Sequence, residues 1–411
     1  MTAGRRVLPL VEFIRTRLSR SELTNDLAEV LWHQYSPQVT VEWPSPRTED
    51  QWELLSQGWV GYIPLSLEVT LALQPKVGLA NLFRMLEYAY QLKGLRFLEG
   101  QIDCTTLEEF YELLAKILAL RILDRERVGL YRAYVGHTER TPYLRGHLDL
   151  ADSLRHEWQP DFQCSFEEHT ADVEENRILA WTLWQVAQSG LCTERVLPTI
   201  RRAVRGLHGV VSTAPVTASD CVGRFYNRLC DDYQTLHALC RFFLEHTGPG
   251  HSWGDRRMLP FLIDMSRLYE LFVAEWLKQH LPTSLALQAQ ERVDIGPGDD
   301  LHFRIDLVLY DLPSGKALAV LDTKYKDAQT PAVGDVEQVV AYAVSKGCSE
   351  AILVYPMSLG GTPDRIVGNI RVRSLAFRLD GDLEKAGRAF MSKLSLGLPI
   401  TGHFGANADG V

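Results

Sequence analysis

The chain predicts an α/β protein, α+β over its whole length. A mixed sheet flanked by helices at the C-terminus follows a helical middle region and a strand-containing N-terminal region. Three observations carry this prediction. Leu301, Phe303, Ile305, Leu307 and Leu309 recur at period two, and a second extended stretch, Ala317 to Lys324, follows the turn Leu312-Pro313-Ser314-Gly315. Helical apolar spacing brackets that pair on both sides. Between about residues 96 and 250 the spacing is mainly helical, at Thr106 to Arg121, Val173 to Ser189, Glu194 to Leu207 and Gly223 to His246.

Taken in order, residues 1–95 mix short strands, at Gln38 to Val41 and Leu65 to Leu73, with a closing helix from Gly78 to Leu92. Residues 96–250 form the helical second domain. There Thr170 and Asp172 stand where they can cap the helix beginning at Val173, and Trp181, Trp184, Phe225, Tyr226 and Tyr233 read as core packing. Gly248-Pro249-Gly250-His251-Ser252 has the composition of a linker. Residues 251–380 are the third domain. It holds an amphipathic helix from Leu259 to Leu277 with Pro260 near its first turn, the two strands above, a helix from Asp335 to Lys346 closed by Gly347, and a strand from Ala351 to Tyr355. Residues 381–411 are a tail whose Gly-rich end is expected to fray.

Bulk properties narrow the function classes. A chain of 411 residues with 46% hydrophobic and 23% charged residues suits a soluble protein of two or three domains. No apolar run approaches the roughly 18 to 20 residues that cross a bilayer. Glu12, Arg15 and Arg17 interrupt any apolar leader, so a cytoplasmic protein is expected, without a membrane partner. The seven cysteines are odd in number and scattered, which suits reduced thiols. Cys221, Cys230, His237, Cys240 and His246 lie close in sequence, but no CxxC pair occurs and their irregular spacing argues against zinc. The net charge of −9 favours DNA delivered by a partner over tight binding by this chain alone. No G-x-x-x-x-G-K-[ST] phosphate loop occurs, so hydrolysis of GTP or ATP by that route is excluded.

The chemistry concentrates between Leu301 and Lys326. Alternation places Asp306 opposite the apolar face of its strand, beside His302 and Arg304. Asp322 and Lys324 are two apart and share a face. Phosphodiester hydrolysis needs Mg²⁺ held by hard oxygen ligands, which Asp306, Asp322 and the backbone carbonyl of Thr323 can supply. An ammonium at Lys324 can position the attacking water or neutralise charge developing on the phosphate. The apolar run Ala317-Leu318-Ala319-Val320-Leu321 reaches right up to Asp322, and a charge at the mouth of a buried strand needs a reason.

A helix with Glu270, a strand with Asp306, then Asp322-x-Lys324, then a helix with Gln338-x-x-x-Tyr342, resembles the restriction-endonuclease-like (PD-(D/E)xK) core. The wording is similar to the McrC family, the nuclease subunit of McrBC modification-dependent restriction systems. The similar segments are Ile263-Asp264-Met265, Arg304-Ile305-Asp306, Leu321-Asp322-Thr323-Lys324-Tyr325 and Gln338-Val339-Val340-Ala341-Tyr342-Ala343. Upstream, Pro75-Lys76-Val77-Gly78, Arg145-Gly146-His147-Leu148-Asp149 and Glu174-Glu175-Asn176-Arg177-Ile178-Leu179 also look like that family, so the likeness runs from about residue 60 to about residue 360. Ile305 stands where the motif's name has proline.

The resemblance implies a Mg²⁺-dependent endonuclease. Asp306 and Asp322 would be metal ligands, Lys324 the catalytic lysine and Glu270 a supporting carboxylate, with Gln338, Tyr342 and Arg304 buttressing the site or contacting DNA. It implies a separate AAA+ GTPase of the McrB type that binds GTP, recognises methylated double-stranded DNA and translocates, while this chain stimulates the hydrolysis and then cuts. Residues 1–95 would face that partner, and a double-strand break would take a dimer of complexes. The alternatives are a restriction-like nuclease of another defence or repair system, and an assembly subunit with a vestigial nuclease fold.

Overall fold

The computed structural model describes residues 6–66, 68–92, 106–156, 158–248, 251–253, 256–294, 302–326, 329–360 and 364–396. They fall into two compact units, residues 1–96 together with 260–411, and residues 97–259. This differs from the four consecutive segments predicted. Long-range strand pairing, which local sequence does not display, joins the N-terminal segment to the C-terminal part of the chain.

The first unit begins with β1 (Arg6–Val11), β2 (Thr16–Leu18), α1 (Asn25–Gln34), β3 (Val39–Glu42), β4 (Trp52–Ser56), β5 (Trp59–Pro64), β6 (Val69–Gln74) and α2 (Leu79–Ala89). The predicted strand from Leu65 to Leu73 is therefore the turn that follows β5 and then β6, which begins only at Val69. Strands β2, β4 and β3 form a small sheet over which Trp52 and Leu54 are fully buried.

The second unit holds α3 (Leu107–Val128), β7 (Ala133–Thr141), β8 (His147–Leu148), α4 (Leu150–Arg155), β9 (Phe162–Thr170), α5 (Glu174–Gln188), α6 (Leu197–Leu207), α7 (Tyr233–His246), β10 (His251–Trp253) and β11 (Arg256–Met258). It is less purely helical than predicted. Strands β7 and β9 pair antiparallel over nine residues each, from Ala133 opposite Thr170 to Thr141 opposite Phe162. Thr170 and Asp172 do not cap α5, whose N-cap is Val173 without a side-chain bond. Asp172 instead accepts from Arg177 Nε at 2.8 Å and from the Ser212 backbone at 2.9 Å. Asn176 is fully buried, donates to the carbonyls of Tyr131 (2.8 Å) and Ala171 (2.7 Å), and accepts from the Tyr233 hydroxyl at 2.6 Å. Of the aromatic residues read as core, Tyr233 is buried, Trp181 stacks on Trp184 half-buried, and Phe225 is exposed. Positions 249–250 of the expected linker lie outside the described residues.

The first unit resumes with β12 (Phe261–Asp264), α8 (Met265–His280), β13 (Leu285–Asp294), β14 (His302–Asp311), β15 (Ala317–Thr323), α9 (Val333–Lys346), β16 (Glu350–Tyr355), β17 (Asp364–Val367), β18 (Ile370–Ala376) and α10 (Leu383–Ser395). The helix expected from Leu259 starts only at Met265. Phe261–Asp264 is a strand paired antiparallel with β5, completing a sheet of order β1-β6-β5-β12. Asp264 then caps α8, accepting from the backbone N–H of Ser266 at 2.9 Å and of Arg267 at 3.2 Å. Gly61 (φ +140°) lets the two strands meet, since a Cβ there would run into the Phe261 carbonyl.

The central sheet has the order β13-β14-β15-β16-β18-β17. Its first three strands are antiparallel neighbours, and β15, β16 and β18 run parallel, with α9 making the crossover between β15 and β16. Val308, Val320, Val339, Ala343, Leu353 and Val372 pack into one core between that helix and the sheet. The segment read as a tail contains α10, which buries Phe390 and Leu394; residues 397–411 lie outside the described residues.

Candidate active site

Apolar packing pins the strands, and the ladder then dictates which polar groups meet. Leu307 pairs with Leu321 across β14 and β15, so the next residues on each strand bring Asp306 beside Asp322 and Thr323. Oδ2 of Asp306 accepts from the Thr323 backbone N–H at 2.9 Å and from its hydroxyl at 3.1 Å. Asp322 is 1% exposed. The Lys324 N–H donates to the Val354 carbonyl at 2.8 Å, which continues the extended chain one residue past β15. Its Nζ lies 2.7 Å from Oδ2 of Asp322 and donates to Oε1 of Gln338 at 3.0 Å. Nε2 of Gln338 in turn donates to the Tyr342 hydroxyl at 2.6 Å, along one face of α9.

Glu270 reaches the site from α8. Its Oε1 accepts from the side chain of Gln290 on β13. Gln290 has φ +54°, an uncommon value for a non-glycine residue inside a strand. Ala289 pairs with Leu307 and Glu291 with Ile305, while Gln290 forms no ladder pair with Asp306 between them. The distortion turns the Gln290 amide toward Glu270. Residue order alone does not mark Gln290, because an inverted φ leaves no trace in composition. Arg304, an exposed residue of β14, acts on Glu270 through its charge, which draws the carboxyl back down, as does that of Arg267.

Electrostatics follow from burying three carboxyls together. Burial, then the charge of Asp306, push Glu270 up to about 7. Burial and the same neighbour push Asp322 up to about 6 against the pull of Lys324. Asp306 is also raised, mainly by burial, with the Thr323 donors opposing. Burial pulls Lys324 down, but Asp322, Asp335 and Asp306 together outweigh it, so its net shift is upward.

No cluster of three or more His, Cys, Asp or Glu side chains forms a ready-made metal cage among the described residues. Mg²⁺ does not require one, since it commonly binds through one or two carboxylates, completing its shell with waters and substrate phosphates. The donor set fits. Oδ2 of buried Asp322 has an ionic neighbour but no hydrogen bond of proper geometry, leaving an oxygen with unused acceptor capacity.

Besides Gln290, an acid that local residue order marks only weakly supports the site. Glu12, directly after β1, is fully buried and accepts from the Lys76 backbone N–H and from the Tyr325 hydroxyl, each at 2.7 Å. It ties the N-terminal sheet to the residue following Lys324. Its one sequence signal is an acid set in the apolar run Leu10-Val11-Glu12-Phe13-Ile14.

The family model described as McrBC 5-methylcytosine restriction system component matches residues 54–356. The chain belongs to this family. Among curated relatives of the McrBC component it is 22% identical over 264 residues to the type IV methyl-directed restriction enzyme EcoKMcrBC of Escherichia coli (strain K12), covering 61% of this chain and 74% of that one. Its fold is shared with a chain of a refined half-complex from a tetradecameric assembly of Thermococcus gammatolerans McrB AAA+ hexamers with bound McrC. That match has a TM-score of 0.55 and 16% identity and covers 95% of this chain and 100% of that one. Both findings agree with the McrC resemblance carried by the motifs. Among the described residues no helix is long and apolar enough to cross a membrane.

Proposed function

We propose that this McrBC component is the Mg²⁺-dependent endodeoxyribonuclease of a GTP-dependent restriction complex directed at modified cytosine. The observation that carries this reading is the convergence of half-buried Asp306 in the middle of β14 with buried Asp322 and half-buried Lys324 at the end of the neighbouring β15. Asp306 and Asp322 hold the metal, with the Thr323 carbonyl beside them, and Glu270 supports them from α8. The bound metal supplies Lewis acidity toward the scissile phosphate. Lys324, oriented by Asp322 and Gln338, offers a fixed positive charge where negative charge develops. Thr323 fixes the Asp306 carboxylate, and Tyr342 steadies Gln338.

The solved assembly of a structural relative pairs McrC with McrB AAA+ hexamers, which supports an AAA+ GTPase as partner here and a dimer of complexes for double-strand cleavage. The partner binds GTP, and this chain stimulates its hydrolysis. The test is cleavage of methylated and unmethylated plasmid by this chain with Mg²⁺, with and without its AAA+ partner and GTP, and with Asp322→Ala as control. Cleavage confined to methylated DNA, requiring partner, GTP and Asp322, is expected. Cleavage by the Asp322→Ala complex would end the reading.

A further inference from the structure

A cleft of about 500 Å³ opens beside the site, lined among others by Phe13, Lys76, Tyr325, Lys326, Met357 and Arg378. Its position is set by topology. Residues 325–326 follow β15, residues 356–358 follow β16 and residues 378–380 follow β18, so the cleft lies beyond the carboxyl ends of three parallel strands, where open α/β sheets bind ligands. Its floor is aromatic, with the Phe13 and Tyr325 ring centroids 6.2 Å apart. Its rim carries three cations, two of them paired with carboxylates. Lys76 Nζ stands 5.7 Å over the Phe13 ring, Lys326 pairs with Asp335 at 2.8 Å, and Arg378 pairs with Asp380.

Buried Glu12 bonds both the Lys76 backbone and the Tyr325 hydroxyl, so two walls are tied together without a ligand. The Arg378–Asp380 pair is more than half exposed on both sides, and such pairs exchange readily for a phosphate. Tyr325 and Lys326 directly follow Lys324, and the Lys326 N–H donates back to the Lys324 carbonyl at 3.0 Å, a tight turn that keeps the start of the cleft close to the site.

We infer that this cleft takes one unstacked deoxynucleotide of the cleaved strand, next to the phosphate at Asp306, Asp322 and Lys324. The base lies against Phe13 and Tyr325, and Lys76, Lys326 and Arg378 meet the flanking phosphates. Aromatic floors with basic rims bind single strands with little sequence preference because every base has a π-face. The inference rests on the nuclease reading for the identity of the neighbouring phosphate, but its test does not need cleavage.

The experiment measures anisotropy of a short fluorescein-labelled single-stranded deoxyoligonucleotide with the full chain in EDTA, so that no strand is cut. Phe13→Ala is expected to weaken binding by about tenfold or more. Lys76→Glu and Lys326→Glu are expected to weaken it comparably, with Tm measured alongside because Lys326 pairs with buried Asp335. Asp380→Ala, which releases Arg378, is expected to tighten it. Lys116→Glu, on α3 of the other unit, is the control for net charge.

Binding unchanged in all the cleft variants, or lost equally in Lys116→Glu, would overturn the assignment. So would displacement of the oligonucleotide by an equal concentration of dTMP or GTP, which would mark a free-nucleotide site. Because the assay is independent of turnover, a complex that fails to cut leaves this result standing, and a complex that cuts normally with every cleft variant unimpaired in binding sinks the cleft alone.

Discussion

Thr323 donates twice to one oxygen of Asp306, through its N–H at 2.9 Å and its hydroxyl at 3.1 Å, so the carboxylate is held by the strand that carries Asp322 and leads into Lys324. The backbone donor survives any substitution, but the hydroxyl does not. Thr323→Val keeps the β-branched shape and strand preference while removing one charge-assisted bond, a contribution of about 1.5 to 3 kcal/mol. Part of that appears as lost orientation. Single-turnover cleavage by the assembled complex is expected to slow by roughly tenfold, and Tm to fall by a few degrees. A Thr323→Val complex that cuts at the parent rate would show that the hydroxyl does not orient Asp306.

The ion pair of Lys324 and Asp322 is unequal, because the lysine side chain is 14% exposed and the aspartate 1%. Removing the cation strands a buried carboxylate beside two others. Removing the anion leaves an ammonium that still donates to Gln338. Lys324→Met is therefore expected to cost about 2 to 4 kcal/mol in urea unfolding, whereas Asp322→Asn costs under about 1 kcal/mol, because it relieves repulsion from Asp306. Both are expected to abolish cleavage by the assembled complex. Equal destabilisation by the two would contradict the asymmetry.

Legibility divides along the range of the interactions. Asp306, Asp322 and Lys324 were readable because period-two alternation and a two-residue spacing are local facts, and Gln338 and Tyr342 were readable as i and i+4 on α9. Phe261–Asp264 reads locally as the start of a helix because a short apolar run has no period of its own; its strand character comes from β5, some two hundred residues earlier. The same pairing joins residues 1–96 to 260–411 in one unit, and no local composition announces it. Glu12 and Gln290 act through a distant partner and an inverted φ, neither of which a sequence pattern records.

The buried carboxyls make stability depend on pH in a direction opposite to an ordinary surface acid. Glu270 titrates near 4.5 and Asp322 near 3.8 when unperturbed, and in the fold they rise to about 7 and about 6. Between those limits the folded chain binds more protons than the unfolded one, so stability falls as pH rises. The contribution is complete below about pH 4 and is lost as pH rises through about 6 to 7. Without divalent metal, Tm is expected to fall between about pH 5 and about pH 8, and to fall less in Glu270→Gln. Mg²⁺, which needs the carboxylates deprotonated, should raise Tm more at the alkaline end. A Glu270→Gln profile that superimposes on the parent would remove Glu270 as a source of the slope.

Gln290 separates stability from function within one side chain. Its φ of +54° favours glycine, while its amide is what Glu270 accepts from. Gln290→Gly relieves the backbone and should unfold within about 1 kcal/mol of the parent, whereas Gln290→Ala keeps the strain and should be less stable than the glycine variant by about 1 kcal/mol. Both leave Glu270 without that donor at the edge of the site. If the amide positions Glu270, the two variants lose cleavage to a similar degree, about tenfold, despite their different stabilities, and both need more Mg²⁺ for half-maximal rate. If the distortion serves folding alone, Gln290→Gly would cut like the parent and only Gln290→Ala would be impaired, in step with its lower Tm.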